Sequence, residues 1–143
     1  MCAADGWEVE PPADRIQTLD VAQCYELLAT DTVGRIVYTD GAMPAITPVN
    51  YVLEGHHVVF RTAEGSRLAR AVSGAVVAFE VDQLDRSTRT GWSVVVTGVA
   101  REIGEGSEQG RNAALRLAPW AGGRRPLAFS IAPGVVTGRW IGA

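Results

Sequence analysis

Apolar residues recur at helical spacing only in short stretches of this chain; across most of it they follow strand patterns. From Asp20, the positions Val21, Cys24, Tyr25, Leu27 and Leu28 predict a short amphipathic helix to about residue 29, with Asp20 as its N-cap. Residues 33–39 are rich in β-branched side chains and close on Asp40-Gly41, a hairpin signal, after which residues 45–53 return. Glu54-Gly55 turns the chain again into residues 57–62, which completes a three-stranded meander. Residues 65–72 predict one or two helical turns, 75–81 a strand and 82–90 a polar loop. In residues 92–101 both strand faces are apolar, Trp92, Val94 and Val96 against Val95 and Val99, a pattern expected of a strand buried from both sides. Residues 107–118 predict a helix stopped by Pro119. A Gly/Arg-rich loop follows at 121–125, then two strands at 127–131 and 135–141 separated by Pro133-Gly134.

Six or seven strands joined by tight turns run mostly antiparallel, and such a run tends to close into a barrel that removes its edges. The expected fold class is mainly β, a β-barrel with short helices. The 143 residues, 47% hydrophobic and 20% charged, suit one domain with one contiguous core. Residues 1–17 carry Gly6, Pro11, Pro12 and several acids without periodicity, so they are expected to form a loose arm or strap. The barrel domain is expected over residues 18–143.

Charge narrows the functional classes. The formal net charge is −3, which argues against a nucleic-acid partner held by phosphate neutralisation. All 13 basic residues are arginines, which excludes a Schiff-base lysine, a lysine general base and a phosphate loop ending in Gly-Lys-Ser/Thr. Where a cation is needed, it must be a planar guanidinium fork suited to phosphate or carboxylate. Cys2 and Cys24 form no disulfide framework, and the adjacent His56 and His57 would point to opposite faces of a strand, so no metal site is expected. No apolar run approaches the ~18 residues that span a bilayer, and the acidic start lacks a signal peptide's basic and apolar regions. The expectation is a soluble, cytoplasmic protein with no membrane partner.

Three segments carry candidate chemistry. In the first, a strand ends in Arg61 and Thr62, a turn with Gly65 follows, and Ser66 and Arg67 open a short helix. Two hydroxyls and two guanidinium forks so spaced suit a phosphate monoester, although Ser66 as a plain helix cap with solvated arginines also accounts for them. In the second, Thr47, Pro48, Val49 and Asn50 lie in a strand whose proline cannot donate to a ladder. That places the stretch at an edge or bulge, either a protected edge or a backbone free to meet the polar rim of a planar heterocycle. In the third, Trp92 follows Gly91 at the mouth of a strand with Ser93 next to it, positioned to cover a flat ligand or to serve as a core or interface anchor. Glu80, Asp82 and Asp85 cluster without a partnered histidine, and no Ser-His-Asp or Cys-His arrangement emerges.

Taken in order, these segments resemble the flavin-binding split-barrel family related to pyridoxamine 5′-phosphate oxidase, in its small single-domain branch. The resemblance rests on Gly34-Arg35-Ile36-Val37, Pro44-Ala45-Ile46-Thr47-Pro48-Val49-Asn50-Tyr51, Val59-Phe60-Arg61-Thr62 with Gly65-Ser66-Arg67-Leu68, and Ala78-Phe79-Glu80-Val81-Asp82. It continues through Gly91-Trp92-Ser93-Val94-Val95-Val96-Thr97-Gly98, Pro119-Trp120-Ala121 and Val136-Thr137-Gly138-Arg139-Trp140. It implies a six-stranded antiparallel split barrel that forms a homodimer, with FMN in a cleft between subunits. By the same likeness Arg61, Thr62, Ser66 and Arg67 hold the flavin phosphate, and Thr47, Pro48, Val49 and Asn50 face the isoalloxazine edge through backbone groups. Trp92 and Ser93 would approach from the neighbouring subunit. The family often has lysine at the position of Arg67, and the C-terminal basic motif that grips pyridoxamine phosphate has no match here. The expected activity is therefore an FMN-dependent oxidoreductase of unknown small-molecule substrate, not a true pyridoxamine phosphate oxidase. The alternatives are a deazaflavin-dependent reductase, using Gly122-Gly123-Arg124-Arg125 as its basic groove, and a non-catalytic flavin carrier or sensor.

Overall fold

Turn chemistry sets the first half of the molecule. The computed structural model describes residues 15–117 and 126–142. Strands β2 (Val33–Asp40) and β3 (Met43–Glu54) pair antiparallel from Val33↔Asn50 to Asp40↔Met43, leaving a two-residue loop. Both loop residues, Gly41 and Ala42, have positive φ (54° and 69°), the conformation whose twist matches the flanking strands. A second short turn leads to β4 (His57–Ala63), and Tyr51↔Phe60 to Glu54↔His57 are the paired positions. Strand β5 (Val76–Asp85) pairs with β2, and β6 (Thr90–Ile103) with β5. The polar loop expected over 82–90 shrinks to 86–89. Asp85 tightens it by accepting the backbone N–H groups of Ser87 and Thr88 (2.9 and 3.2 Å) and the Ser87 hydroxyl (2.7 Å).

The two strands expected at 127–131 and 135–141 are one, β7 (Pro126–Ile141). It continues because Gly134 is accommodated as an extra residue where the register to β6 slips, Thr97 facing Val135 and Gly98 facing Pro133. The sheet order is β1-β7-β4-β3-β2-β5-β6, and β6 also pairs with β7. Strands β2 to β7 therefore close into a six-stranded antiparallel ring, while β1 (Ile16–Leu19) lies outside it on the end of β7. Residues 1–14 of the expected arm lie outside the described residues.

Three helices complete the chain. Helix α1 (Val21–Leu28) carries a capping box in which Asp20 accepts the Gln23 backbone N–H (2.8 Å) and Gln23 accepts that of Asp20 (2.9 Å). Its Cys24 and Leu28 are buried in the barrel core, where Tyr51 donates its hydroxyl proton to the Leu28 carbonyl. Helix α2 (Arg67–Val72) starts at Arg67 because Ser66 is its N-cap, and it adds Leu68, Ala69 and Val72 to the same core. Helix α3 (Glu108–Arg116) lies outside the ring, where Ala113 and Leu117 pack on Val59 of β4. The stop expected at Pro119 lies outside the described residues. No helix among the described residues is long and apolar enough to cross a membrane.

Strand β6 corrects one expectation. Its faces are not equally buried: Trp92, Val94, Val96 and Ala100 point into the barrel, while Ser93, Val95, Thr97 and Val99 on the outer face are half-buried. Among the described residues, the cluster under α3 takes in Val59 of β4 and, of β6, Ile103 at its end, but neither Val95 nor Val99.

At the β6–β7 slip, a Cβ on Gly98 would fall against the Ala132 carbonyl oxygen, which is backbone and cannot swing away. Gly98→Ala is therefore expected to destabilise the protein by about 1–3 kcal/mol, read as a lower midpoint in urea unfolding. An unchanged midpoint would show that the slip can relax.

Candidate functional site

The ring is split on one side. Strand β3 is bonded to β2 along its whole first part, yet β4 meets it only at residues 51–54. Beyond Tyr51↔Phe60 the end of β4 turns to β7, where Arg61 faces Ala128 and Thr62 faces Leu127. Among the described residues, no strand pairs with the second edge of residues 43–50 of β3, along which Thr47, Pro48, Val49 and Asn50 lie. Pro48 stands where a missing donor does least harm, at an edge.

Each candidate residue has a definite place around this fork. The Val49 side chain is buried toward the barrel, and Thr47 shares a hydrogen bond with the Tyr38 hydroxyl (3.2 Å). Asn50 is the residue just beyond the fork. Its side-chain oxygen is buried and has no hydrogen-bond partner among the described residues, an arrangement that costs free energy unless a donor arrives from elsewhere. Across the fork the Thr62 and Ser66 hydroxyls lie 3.1 Å apart, and Ser66 also accepts the Ala69 backbone N–H (3.0 Å). Arg67 is exposed and ion-paired with Asp40 at the end of β2. Arg61 sits on the opposite face of its strand from Thr62 and donates to the Leu117 carbonyl at the end of α3 (2.6 Å). The structure therefore joins Thr62 with Ser66 directly and flanks them with two guanidinium groups, each already engaged. Asp40 and Leu117 were not legible as partners because both contacts are long-range.

Trp92 and Ser93 stand apart. In the ring, β2 and β5 lie between β6 and β3, and β7 lies between β6 and β4, so within one chain these two residues are on neither strand of the fork. The Trp92 indole is only 6% exposed and belongs to its own barrel's core. Ser93 is the member of the pair that faces outward. The segment 119–125, with Trp120, Arg124 and Arg125, lies outside the described residues.

One charged cluster interrupts the outer face beside the fork. Arg35 of β2, directly across from Pro48, reaches Glu80 (3.2 Å) and Asp82 (3.8 Å) of β5. Burial of the Glu80 carboxyl, reinforced by a hydrogen bond to Asp82 and by its charge, pushes its pKa up from the ordinary 4.5 to about 7, against the opposing pull of Arg35.

Residues 20–140 match the family described as pyridoxamine 5′-phosphate oxidase. An uncharacterized protein of Mycobacterium tuberculosis is 40% identical over 131 residues, covering 88% of this chain and 86% of that protein. Among solved structures, the FAD binding protein from Mycobacterium smegmatis aligns with a TM-score of 0.70 at 34% identity, over 87% of this chain and 97% of that one. A conserved protein of unknown function from Corynebacterium diphtheriae aligns with a TM-score of 0.73 at 34% identity, over 90% and 99% respectively. The chain belongs to the pyridoxamine 5′-phosphate oxidase family. Its barrel is the split-barrel fold expected from the resemblance.

The Glu80 cluster yields a pH prediction. A carboxyl whose folded pKa lies above its unfolded value stabilises the fold in its protonated form, so that stability is full below about 4.5 and is lost as pH rises through about 7. Between about pH 5 and 8 the melting temperature of the wild type should fall, and Glu80→Gln should flatten that dependence. Identical pH profiles for the two proteins would remove Glu80 as the cause.

Proposed function

We propose that the open edge of β3 and the end of β4 bind the FMN unit of a flavin nucleotide, and that the protein is a cytoplasmic flavin-dependent oxidoreductase acting on a small molecule. The observation that carries this reading is the buried side-chain oxygen of Asn50, which has no partner among the described residues, on a strand edge that no described strand pairs with. A planar ring system with an N–H between two carbonyls supplies the donor that Asn50 lacks and the acceptors that a free edge can use. Across the fork, Thr62 and Ser66 present hydroxyls to a phosphate, and Arg61 and Arg67 can add charged donors. Both guanidinium groups have donors left over, since each carries five N–H groups and the described contact of each uses one nitrogen. The relatives' descriptions, which include an FAD binding protein, agree with a flavin at such a site.

When bound, the flavin supplies the hydride and electron transfer, and the protein supplies orientation and electrostatics. Thr62 and Ser66 anchor one end of the ligand. The β3 edge aligns the ring, and the β-barrel wall behind Val49 and Tyr51 keeps water from one side of it. The deazaflavin alternative rested on residues 122–125, which lie outside the described residues.

We also propose a homodimer through the outer face of the sheet, which would bring Ser93 of a second copy toward the fork. Cross-strand register places Ile46, Val37, Ala78, Thr97 and Val135 in one row on that face. Ile46 and Val135 are 65% and 59% exposed, an apolar band suited to a self-complementary contact.

The visible spectrum of the purified protein and titration of the apoprotein with FMN test the cofactor. Binding is expected, and Arg61→Ala should weaken it by about 1.5–3 kcal/mol through loss of a charged contact. No binding of any flavin would end the reading. Sustained oxidation of a reduced nicotinamide with quinone or nitro acceptors, well above free FMN, is expected; flavin binding without such turnover would instead favour a carrier. Light scattering at micromolar concentration should give a dimeric mass, reduced to a monomer by Val135→Glu. A monomeric wild type would overturn the dimer.

A further inference from the structure

Away from the fork, three strands bring polar side chains together near the start of α3. In the cross-strand register, Ser130 of β7 lies between Val59 of β4 and Arg101 of β6. Strand alternation puts His57, Ser130 and Arg101 on the outer face of the ring, the face on which Val59 meets α3. A cavity of about 300 Å³ is lined there by these three residues together with Val99, Ile103 and Ala132. That volume stands at the lower end of the range for small-molecule sites. Neither Thr62 nor Ser66 lines it, and His57 is five residues from Thr62 along β4, roughly 16 Å.

The polar groups of this cavity have donors to spare. Ser130 is buried, and its hydroxyl shares a hydrogen bond with His57 Nδ1 (2.9 Å). If Ser130 donates, the neutral imidazole carries its proton on Nε2 and donates from there. If Nδ1–H donates, the Ser130 hydroxyl keeps its own proton to give. Either arrangement leaves one donor for a further partner. Arg101 adds a guanidinium that forms no ion pair among the described residues, where the paired arginines are Arg35, Arg67 and Arg116. Ser107 contributes nothing further, because its hydroxyl donates to the Gly104 carbonyl (2.7 Å) and accepts the Gly110 N–H (3.0 Å).

We propose that this cavity binds a small monocarboxylic acid in its ionised form. The carboxylate sits at Arg101 and the His57–Ser130 pair, and the apolar body of the ligand lies against Val99, Ile103 and Ala132. A carboxylate accepts through two oxygens and donates nothing, which matches one guanidinium fork and one further donor. Glu102 also borders the cavity, on the opposite strand face from Arg101, and its charge disfavours a dianion more than a monoanion. The site stands independently of the flavin reading.

The chain has two histidines, so imidazole NMR resonances report on the cavity directly. His57 lies in it, and His56, stacked on Tyr25, serves as the internal control. Loss of one set of resonances in His57→Gln assigns them. Titration of the wild type with benzoate and with butyrate should shift the His57 resonances saturably and leave those of His56 in place. Benzamide and butyramide should give no such shift, and inorganic phosphate should bind more weakly than benzoate. Arg101→Met changes an exposed position, and circular dichroism checks its fold; it should weaken benzoate binding about tenfold or more. Its affinity for FMN should equal that of the wild type. The absence of a saturable His57 shift, equal binding of the amides or of phosphate, or benzoate affinity undiminished in Arg101→Met would each overturn the proposal. Failure of FMN to bind would end the flavin reading and leave this one standing.

Discussion

Strand β7 is bonded to two neighbours at once along its first residues, to β4 through positions 126–131 and to β6 through positions 128–131. This double pairing closes the sheet into a ring, and the opening in that ring follows from it. Strand β4 is held to β7 through Ala63, whereas β3 is held to β2 through Met43. The two hairpin partners can share hydrogen bonds only near their turn, and past Tyr51 and Phe60 they must separate. The gap is therefore a product of closure, and the polar backbone left along β3 needs a partner that the described strands do not provide.

The arrangement of charge around the gap follows the same geometry. An acidic chain with arginine as its only cation has few positive groups to place, and several are committed to acids or carbonyls. Arg35 pairs with Glu80 and Asp82, Arg67 with Asp40, and Arg116 with Glu54. Arg61 donates to the Leu117 carbonyl instead of pairing with an acid. A guanidinium can hold such a contact and still present further donors in its plane, which a lysine ammonium does less readily. An all-arginine chain thus suits a site where each cation has two tasks.

Much of the fold was legible locally. Asp20 with Gln23, Ser66 and Ser107 mark helix starts by capping chemistry that involves neighbours three residues away. The hairpin at residues 40–43 follows from a glycine where positive φ is required. The order of Thr47 to Asn50, then Arg61 to Arg67, was visible for the same reason, since each group is contiguous. The inward burial of Trp92 was not. A strand apolar on both faces gives no local signal of which face meets the interior, and the ring decided it. Nor did Pro133-Gly134 reveal that it sits within a strand, because a bulge is recognised only against its partner, here Thr97 and Gly98.

By itself, the sequence determined the elements, their caps and turns, and the residue types available for binding, because these depend on interactions within a few positions along the chain. Tertiary structure decided the pairing of β7 with both β4 and β6, the resulting open edge on β3, and the stranded oxygen of Asn50. It also set Arg61 against the Leu117 carbonyl and Arg67 against Asp40. These depend on which distant segments meet, and periodicity carries no record of that.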